Sequence, residues 1–212
     1  MKKINKSSLL VSMALFAAFA IWTLAVMTLD VKCVGPHSSA VGLSTVNTRF
    51  HKLTGVHLSL YVITDWLGLV PIAIAFGFAI LGIIQLIGRR SIKNVDRSII
   101  ALGVFYATTV LAYIFFEFFH VNYRPILIDC VLEASYPSST TLLTACVMPT
   151  AMGEFSTRIK NLRLRCLILT ILAFFTAFMI IARLISGVHW LSDIIGGALL
   201  SSSLVTAYYA LK

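Results

Sequence analysis

Charged residues are scarce in this sequence, and acidic residues are the scarcest of them. Asp, Glu, Lys and Arg make up 12% of the 212 residues, and only eight residues are Asp or Glu. Hydrophobic residues account for 59%, and the mean hydropathy is +0.95. A soluble domain of this length cannot hide that much apolar surface from water. The composition therefore excludes an ordinary soluble protein and indicates a protein whose main solvent is lipid.

Cysteine is also rare, and its spacing excludes the usual metal-site motifs. The four cysteines stand at positions 33, 130, 146 and 166, without the close pairs typical of zinc ligands. Cys33 and Cys130 both fall in loops on the predicted outer side, where they either pair or remain two free thiols. No basic–aromatic pattern typical of nucleic-acid binding is present. We expect no metal, no cofactor and no nucleic-acid partner, and the oligomeric state stays open.

Long apolar runs fill most of the chain. About six of them approach the roughly 20 residues that cross a ~30 Å hydrocarbon core. Backbone groups in lipid must be satisfied within each segment, so these runs predict helices. The predicted spans lie near residues 8–29, 58–87, 98–119, 139–155, 167–186 and 190–211. The sequence thus predicts one membrane domain over residues 1–212, an all-α bundle of six transmembrane helices.

The basic residues are distributed unevenly between the predicted loops. Twelve of the 17 Lys and Arg residues fall before the first span, in the second–third and fourth–fifth loops, or at the C-terminus. Positive charge gathers on cytoplasmic loops, so both termini are predicted to be cytoplasmic, in a multi-pass protein of the plasma membrane. Lys2, Lys3 and Lys6 precede the first run, but that run is too long for a secretory signal, which predicts a retained helix.

Three clusters of polar residues fall on the predicted outer side, at the ends of four different spans. They are Glu117, His120 and Arg124; then Ser138, Ser139 and Thr140; then Arg183, His189 and Asp193. Each cluster alone has an ordinary explanation, since arginines reach toward headgroups and hydroxyls cap helices. Their convergence at one membrane depth instead favours a functional site, because ionisable residues at membrane depth are usually functional.

The clusters contain groups that suit a phosphate. Arg124 and Arg183 can form bidentate, charge-assisted bonds to phosphate oxygens. The start of the fourth span offers free backbone N–H groups and a positive dipole end, with the Ser138 and Ser139 hydroxyls beside them. The sequence therefore predicts a phosphate site at the outer ends of these spans.

The third cluster also contains a candidate nucleophile. His189 can present one ring nitrogen to phosphorus, which would form a phosphoenzyme. Asp193, one helical turn later, can hold the other ring nitrogen protonated and stabilise the cation that forms. We therefore expect His189 and Asp193 to act together in catalysis.

In their order and spacing, these clusters resemble the motifs of the type-2 phosphatidic acid phosphatase superfamily, the lipid phosphate phosphatases that share a site with vanadium haloperoxidases. That family carries K-x6-R-P, P-S-G-H and S-R-x5-H-x3-D on a six-helix membrane domain. Here the motifs read Glu117-x6-Arg124-Pro125, Pro137-Ser138-Ser139-Thr140 and Ala182-Arg183-x5-His189-x3-Asp193. The resemblance implies a phosphatase that acts on a membrane lipid phosphate or diphosphate.

Two residues depart from the family pattern inside the site. Glu117 replaces a lysine that helps to neutralise phosphate, and a carboxylate 4 Å from a phosphate charge costs about 4 kcal/mol at an effective dielectric near 20. Burial would keep Glu117 protonated, or Arg124 or His120 would pair with it. Thr140 replaces the histidine that donates a proton to the leaving group, and a threonine hydroxyl is too weak an acid for that role. His120 is a candidate replacement donor.

Loss of the proton donor predicts a substrate preference. General acid catalysis is worth about 10²–10⁴ in rate, and a monoester with a basic alkoxide leaving group needs it most. A diphosphate releases a stable phosphate anion with little help. We therefore expect a polyprenyl diphosphate, such as undecaprenyl diphosphate, as the substrate. Two alternatives remain: a non-catalytic lipid-phosphate binder and a lipid phosphotransferase.

Overall fold

The computed structural model describes residues 5–212 and consists mostly of helices. Within that range it contains eight α-helices and one small hairpin: α1 (Lys6–Thr28), β1 (Lys32–Cys33), β2 (Ala40–Val41), α2 (Ser44–Thr54), α3 (Leu58–Leu67), α4 (Leu69–Arg89), α5 (Arg97–Phe118), α6 (Ser139–Arg158), α7 (Leu162–Ile185) and α8 (Leu191–Leu211). Helices α3 and α4 together form the second predicted span and meet at Gly68. The predicted six-helix membrane bundle is confirmed, with α2 as an additional short helix. Lys2 and Lys3 lie outside the described residues.

Five helical segments in the described part of the chain are long and apolar enough to cross a membrane. They are α1, the α3–α4 pair, α5, α7 and α8. The predicted fourth span, α6, is less apolar because it lies inside the bundle, where nine of its 20 residues are buried. It packs against α4, α5, α7 and α8. Its side chains therefore contact protein more than lipid and need not be hydrophobic.

Helix α8 lies against α1 along most of its length. Ser12 Oγ donates to the Ser203 carbonyl at 2.9 Å, and Ser203 Oγ donates to the Ser12 carbonyl at 3.0 Å. Small residues on α8 let other chain segments approach closely. At Gly196, an added Cβ would lie 2.6 Å from the buried ring of Tyr136.

The bundle has two different ends. The upper end, where α6 and α8 begin, also holds the loops 29–57 and 119–138. The lower end, where α5 and α7 begin, is tied by Glu154, whose side chain is buried. Glu154 pairs with Lys212 and with Arg158 Nε at 3.1 Å, and Ser98 donates to it at 3.1 Å. A charge buried this deeply needs such partners, so they hold α5, α6 and α8 together.

The first upper loop packs on the turn between α7 and α8. His57 donates its backbone N–H to the Ser186 carbonyl at 2.9 Å, and the His51 ring contacts the Gly187 carbonyl at 3.0 Å. Gly187 has a φ of +72°, which favours glycine, and an added Cβ would lie 2.2 Å from the Gly55 carbonyl oxygen. The two segments therefore meet backbone to backbone.

The cysteines of the upper loops are separate in this structure. Cys33 and Cys130 are both free thiols with exposed side chains. Among residues 5–212, no three His, Cys, Asp or Glu side chains are grouped closely enough to hold a metal ion.

We expect Gly196→Ala to destabilise the protein by about 1–3 kcal/mol, because the added methyl group overpacks a filled site. Tyr136 cannot easily move aside, since its hydroxyl is 2.7 Å from Thr23 Oγ1 and its ring stacks on Phe19. Thermal unfolding of the detergent-solubilised protein measures the loss. Gly77→Ala is the matched control, because nothing lies within 4 Å of an added Cβ there. Equal midpoints for the two variants would contradict this packing.

Candidate active site

Two arginines from distant parts of the chain meet at one aromatic ring. Arg183 lies in the last turn of α7, and Arg124 lies in the loop between α5 and α6. The guanidinium carbon of Arg183 is 4.8 Å from the centroid of the Tyr61 ring, and that of Arg124 is 5.7 Å away. An aromatic face attracts cations at such distances. Tyr61 of α3 therefore brings together the two residues that the sequence predicts as phosphate ligands.

Several buried nitrogen atoms at this place have no hydrogen-bond partner within residues 5–212. They are Nε and Nη1 of Arg124, Nε of Arg183 and Nε2 of His189. Arg183 is 1% exposed and His189 is 4% exposed. A buried polar group without a partner costs free energy, and native proteins contain few of them. The three arginine nitrogens are hydrogen-bond donors, which an anionic ligand would satisfy.

A cavity of about 480 Å³ opens beside Arg124 and His189. It is lined by five of the residues singled out in the sequence: Glu117, His120, Arg124, Ser139 and His189. The structure therefore places members of all three sequence clusters around one space.

Four other predicted residues are not among those that line this cavity: Ser138, Thr140, Arg183 and Asp193. Ser138 does not line the cavity; it is the N-cap of α6, and its hydroxyl accepts from the Thr141 N–H at 3.5 Å. Thr140 lines a neighbouring cavity of about 520 Å³ together with Asp65. Position 140, where the pattern that the sequence resembles has its proton donor, thus does not line the cavity beside His189.

The histidine ring is held by a backbone group. Its Nδ1 lies 3.1 Å from the carbonyl oxygen of Ser135, whereas the Asp193 carboxylate is 3.7 Å away. This geometry differs from the predicted bond between His189 and Asp193. Because a carbonyl oxygen can only accept, Nδ1 carries the hydrogen and Nε2 keeps its lone pair. The unprotonated nitrogen is the one without a partner beside the cavity.

Asp193 lies close to the ring but bonds to other groups. Its carboxylate accepts from the Trp190 N–H at 2.9 Å, from Asn122 at 3.3 Å and from Ser192 at 3.3 Å. It therefore fixes the start of α8, and its negative charge stays near His189.

Asn47 extends this buried network into α2. It donates to Ser192 Oγ at 2.9 Å and accepts from the Ser192 N–H at 3.1 Å. The structure shows that α2 braces the start of α8, which no local motif could indicate.

Burial decides the charge of the candidate nucleophile. It lowers the pKa of His189 from 6.5 to about 4; the Asp193 carboxylate opposes this shift, while Arg124 and Arg183 add to it. The ring is therefore neutral at pH 7, as a nucleophile requires.

Each arginine also has a carboxylate partner that the sequence did not reveal. Glu133 Oε2 lies 2.9 Å from Arg124 Nε, without hydrogen-bond alignment, and Asp65 Oδ1 lies 3.5 Å from Arg183 Nη2. Both carboxylates are far more exposed than their arginines, at 40% against 11% and 59% against 2%. Within residues 5–212, Glu117 forms no ion pair with Arg124 or His120. The carboxylates therefore hold the arginines from the solvent side.

Comparison with known proteins identifies the family of the chain. Residues 98–212, more than half of the chain, match the family described as the PAP2 superfamily, and the protein belongs to that family. Among solved structures, it is similar to a crystal structure titled the first transmembrane PAP2-type phosphatidylglycerolphosphate phosphatase from Bacillus subtilis. That likeness has a TM-score of 0.58 and 18% identity over 94% of both chains, and shows the fold. No curated protein matches the chain.

The contact between Glu133 and Arg124 predicts that removal of the Glu133 carboxylate raises the affinity of the site for anions. We expect Glu133→Gln to tighten orthovanadate binding by up to about fivefold, because a partly exposed ion pair is worth at most about 1 kcal/mol. Calorimetry on the detergent-solubilised protein measures the dissociation constant.

The matched control for this change is Asp129→Asn. It removes the same charge from the same loop, at an exposed residue with a φ of +49° that asparagine tolerates. We expect its vanadate affinity to stay at the wild-type value. Weaker binding by Glu133→Gln would show that the carboxylate supports Arg124 instead of competing with the anion.

Proposed function

We propose that this protein hydrolyses a lipid diphosphate at the outer face of the plasma membrane, with His189 as the nucleophile. Membership of the PAP2 superfamily and the membrane fold support a lipid phosphatase in general terms. The observation that carries the finer proposal is the neutral His189 ring, which has an unpartnered Nε2 and lines the same cavity as Arg124. The outer face follows from the predicted topology.

Binding comes first in the proposed mechanism. The guanidinium N–H groups of Arg124 and Arg183 donate to phosphate oxygens. Ser139, the first residue of α6, adds a helix N-terminus to the cavity wall. These charges and dipoles also stabilise the transition state, in which negative charge spreads over the phosphoryl oxygens.

Two chemical steps follow. The lone pair of Nε2 forms a bond to phosphorus, and the electron pair of the broken P–O bond leaves with the lipid portion. The Ser135 carbonyl retains the Nδ1 hydrogen, and the nearby Asp193 charge stabilises the cationic ring. Water then attacks phosphorus, transfers a proton to solvent and restores the neutral histidine, with release of phosphate.

The leaving group supports a diphosphate over a monophosphate. Thr140 does not line the cavity, so position 140 offers no proton donor there. A polyprenyl monophosphate leaves as an anion without protonation, whereas an alkoxide does not. His120 and Glu117 do line the cavity, and His120 is the proposed auxiliary donor. A polyprenyl diphosphate, such as undecaprenyl diphosphate, is therefore the proposed substrate.

The neutral state of His189 predicts that kcat/KM declines only at unusually low pH. After correction for the titration of the substrate phosphate, we expect kcat/KM to hold as pH falls through 6.5 and to decline only near pH 4. The reason is that protonation removes the nucleophile and the free-enzyme pKa is about 4. Initial rates in detergent micelles measure the profile.

The control is His189→Ala, which should lower single-turnover phosphate release by more than about 10³-fold. An enzyme inflection at pH 6.5 or above would contradict a buried neutral ring. A wild-type protein that binds vanadate and releases no phosphate would instead be a lipid-phosphate binder.

The difference between the leaving groups predicts that the protein prefers a lipid diphosphate to a lipid monophosphate. We expect polyprenyl diphosphate to exceed polyprenyl monophosphate and phosphatidic acid in kcat/KM by about 10²–10⁴-fold, the usual contribution of general acid catalysis. Phosphate release from each lipid in one detergent gives the ratio. Equal or reversed rates would refute the argument. His120→Gln is the companion variant: if His120 donates the proton, only the residual monoester rate falls further.

A further inference from the structure

We infer that Ser135 is a further phosphate-binding residue, whose hydroxyl donates a hydrogen bond to a phosphate oxygen in the cavity beside His189. This inference rests on the proposed function and adds a ligand that lies outside the three sequence clusters. The hydroxyls predicted to bind phosphate begin at Ser138, three residues later, and the Ser138 hydroxyl is used to cap α6.

The first observation is an unpartnered hydroxyl in the right place. Ser135 is 3% exposed, and its Oγ has no hydrogen-bond partner within residues 5–212. The residue lines the same cavity as His189, Arg124 and Ser139. A buried hydroxyl without a partner destabilises the folded protein. A hydrogen bond to a ligand would offset that cost.

The second observation is that Ser135 both contacts the His189 ring and lines the cavity. The Ser135 carbonyl oxygen lies 3.1 Å from His189 Nδ1. The backbone of Ser135 thus orients the His189 ring, and both residues line the same cavity. A phosphate positioned in this cavity for attack by His189 would therefore lie next to Ser135.

The third observation is that Ser135 is held rigidly relative to Arg124. The loop between α5 and α6 folds back on itself in a short antiparallel pairing centred on the bridge Tyr123–Ala134. The Ser135 backbone N–H donates to the Asn122 carbonyl at 2.9 Å, and the Arg124 backbone N–H donates to the Glu133 carbonyl at 3.0 Å. Such backbone bonds fix the positions of the two residues relative to each other, so little backbone reorganisation is needed when an anion binds.

The test compares two buried serines with unpartnered hydroxyls, of which only Ser135 lines the cavity. Ser44 is also buried, at 1% exposure, and its Oγ is also unpartnered within the described residues, but it does not line the cavity. In the full-length protein in detergent, we expect Ser135→Ala to weaken orthovanadate binding and kcat/KM for polyprenyl diphosphate by about ten- to a hundredfold, as for a lost bond to a charged group. Ser44→Ala should leave both at the wild-type value.

Two further readouts separate binding from folding. The thermal midpoint of Ser135→Ala without ligand should not fall, because no bond of the folded protein is lost. Its acid limit near pH 4 should also persist, because the backbone carbonyl that orients His189 remains. Ser135→Cys keeps nearly the same side-chain volume but has a weaker hydrogen-bond donor. A folded Ser135→Cys protein with weakened vanadate binding therefore supports the inference, even if the alanine variant fails to fold.

The outcomes distinguish this inference from the proposed function. If the wild type binds vanadate and its turnover depends on His189, but Ser135→Ala and Ser135→Cys behave like Ser44→Ala, only the role of Ser135 is overturned. If the wild type shows neither vanadate binding nor turnover, the proposed function is overturned and this inference with it.

Discussion

The site depends on keeping guanidinium charge in a place that water hardly reaches. Arg183 is almost fully buried, and a lone charge there would cost several kcal/mol. Three neighbours from α3 compensate it: the Tyr61 ring face, the Thr64 hydroxyl at 3.1 Å and the Asp65 carboxylate. The same ring also faces Arg124, so α3 contacts both of the positive charges that an anion would meet.

Much of the fold and part of the site could be predicted from the sequence. Apolar runs long enough for a bilayer give the spans, and fixed spacing along one helix or turn relates Arg183, His189 and Asp193. The contacts of Tyr61, Glu133 and Asn47 could not be predicted in this way. Each joins segments far apart in sequence, and their meeting depends on loop conformations that hydrophobic periodicity does not determine.

The acceptor for His189 shows this limit most clearly. A side-chain motif suggests a carboxylate at i+4, and Asp193 does lie near the ring at 3.7 Å. The shorter contact comes from the backbone of Ser135, and every residue type has a carbonyl group, so no sequence pattern can reveal it. The carboxylate is instead engaged by the first turn of α8, where an acidic side chain meets free N–H groups and a positive dipole end.

The packing of the first upper loop on the turn after α7 has a mechanical consequence. With the Gly187 backbone against Gly55 and a hydrogen bond from His57 to Ser186, the segment that carries His189 is fixed to the first upper loop. Any displacement of α2 and its flanking residues would therefore also move the imidazole. Under the proposed function, entry of a headgroup past α2 and the alignment of His189 for attack would thus be coupled.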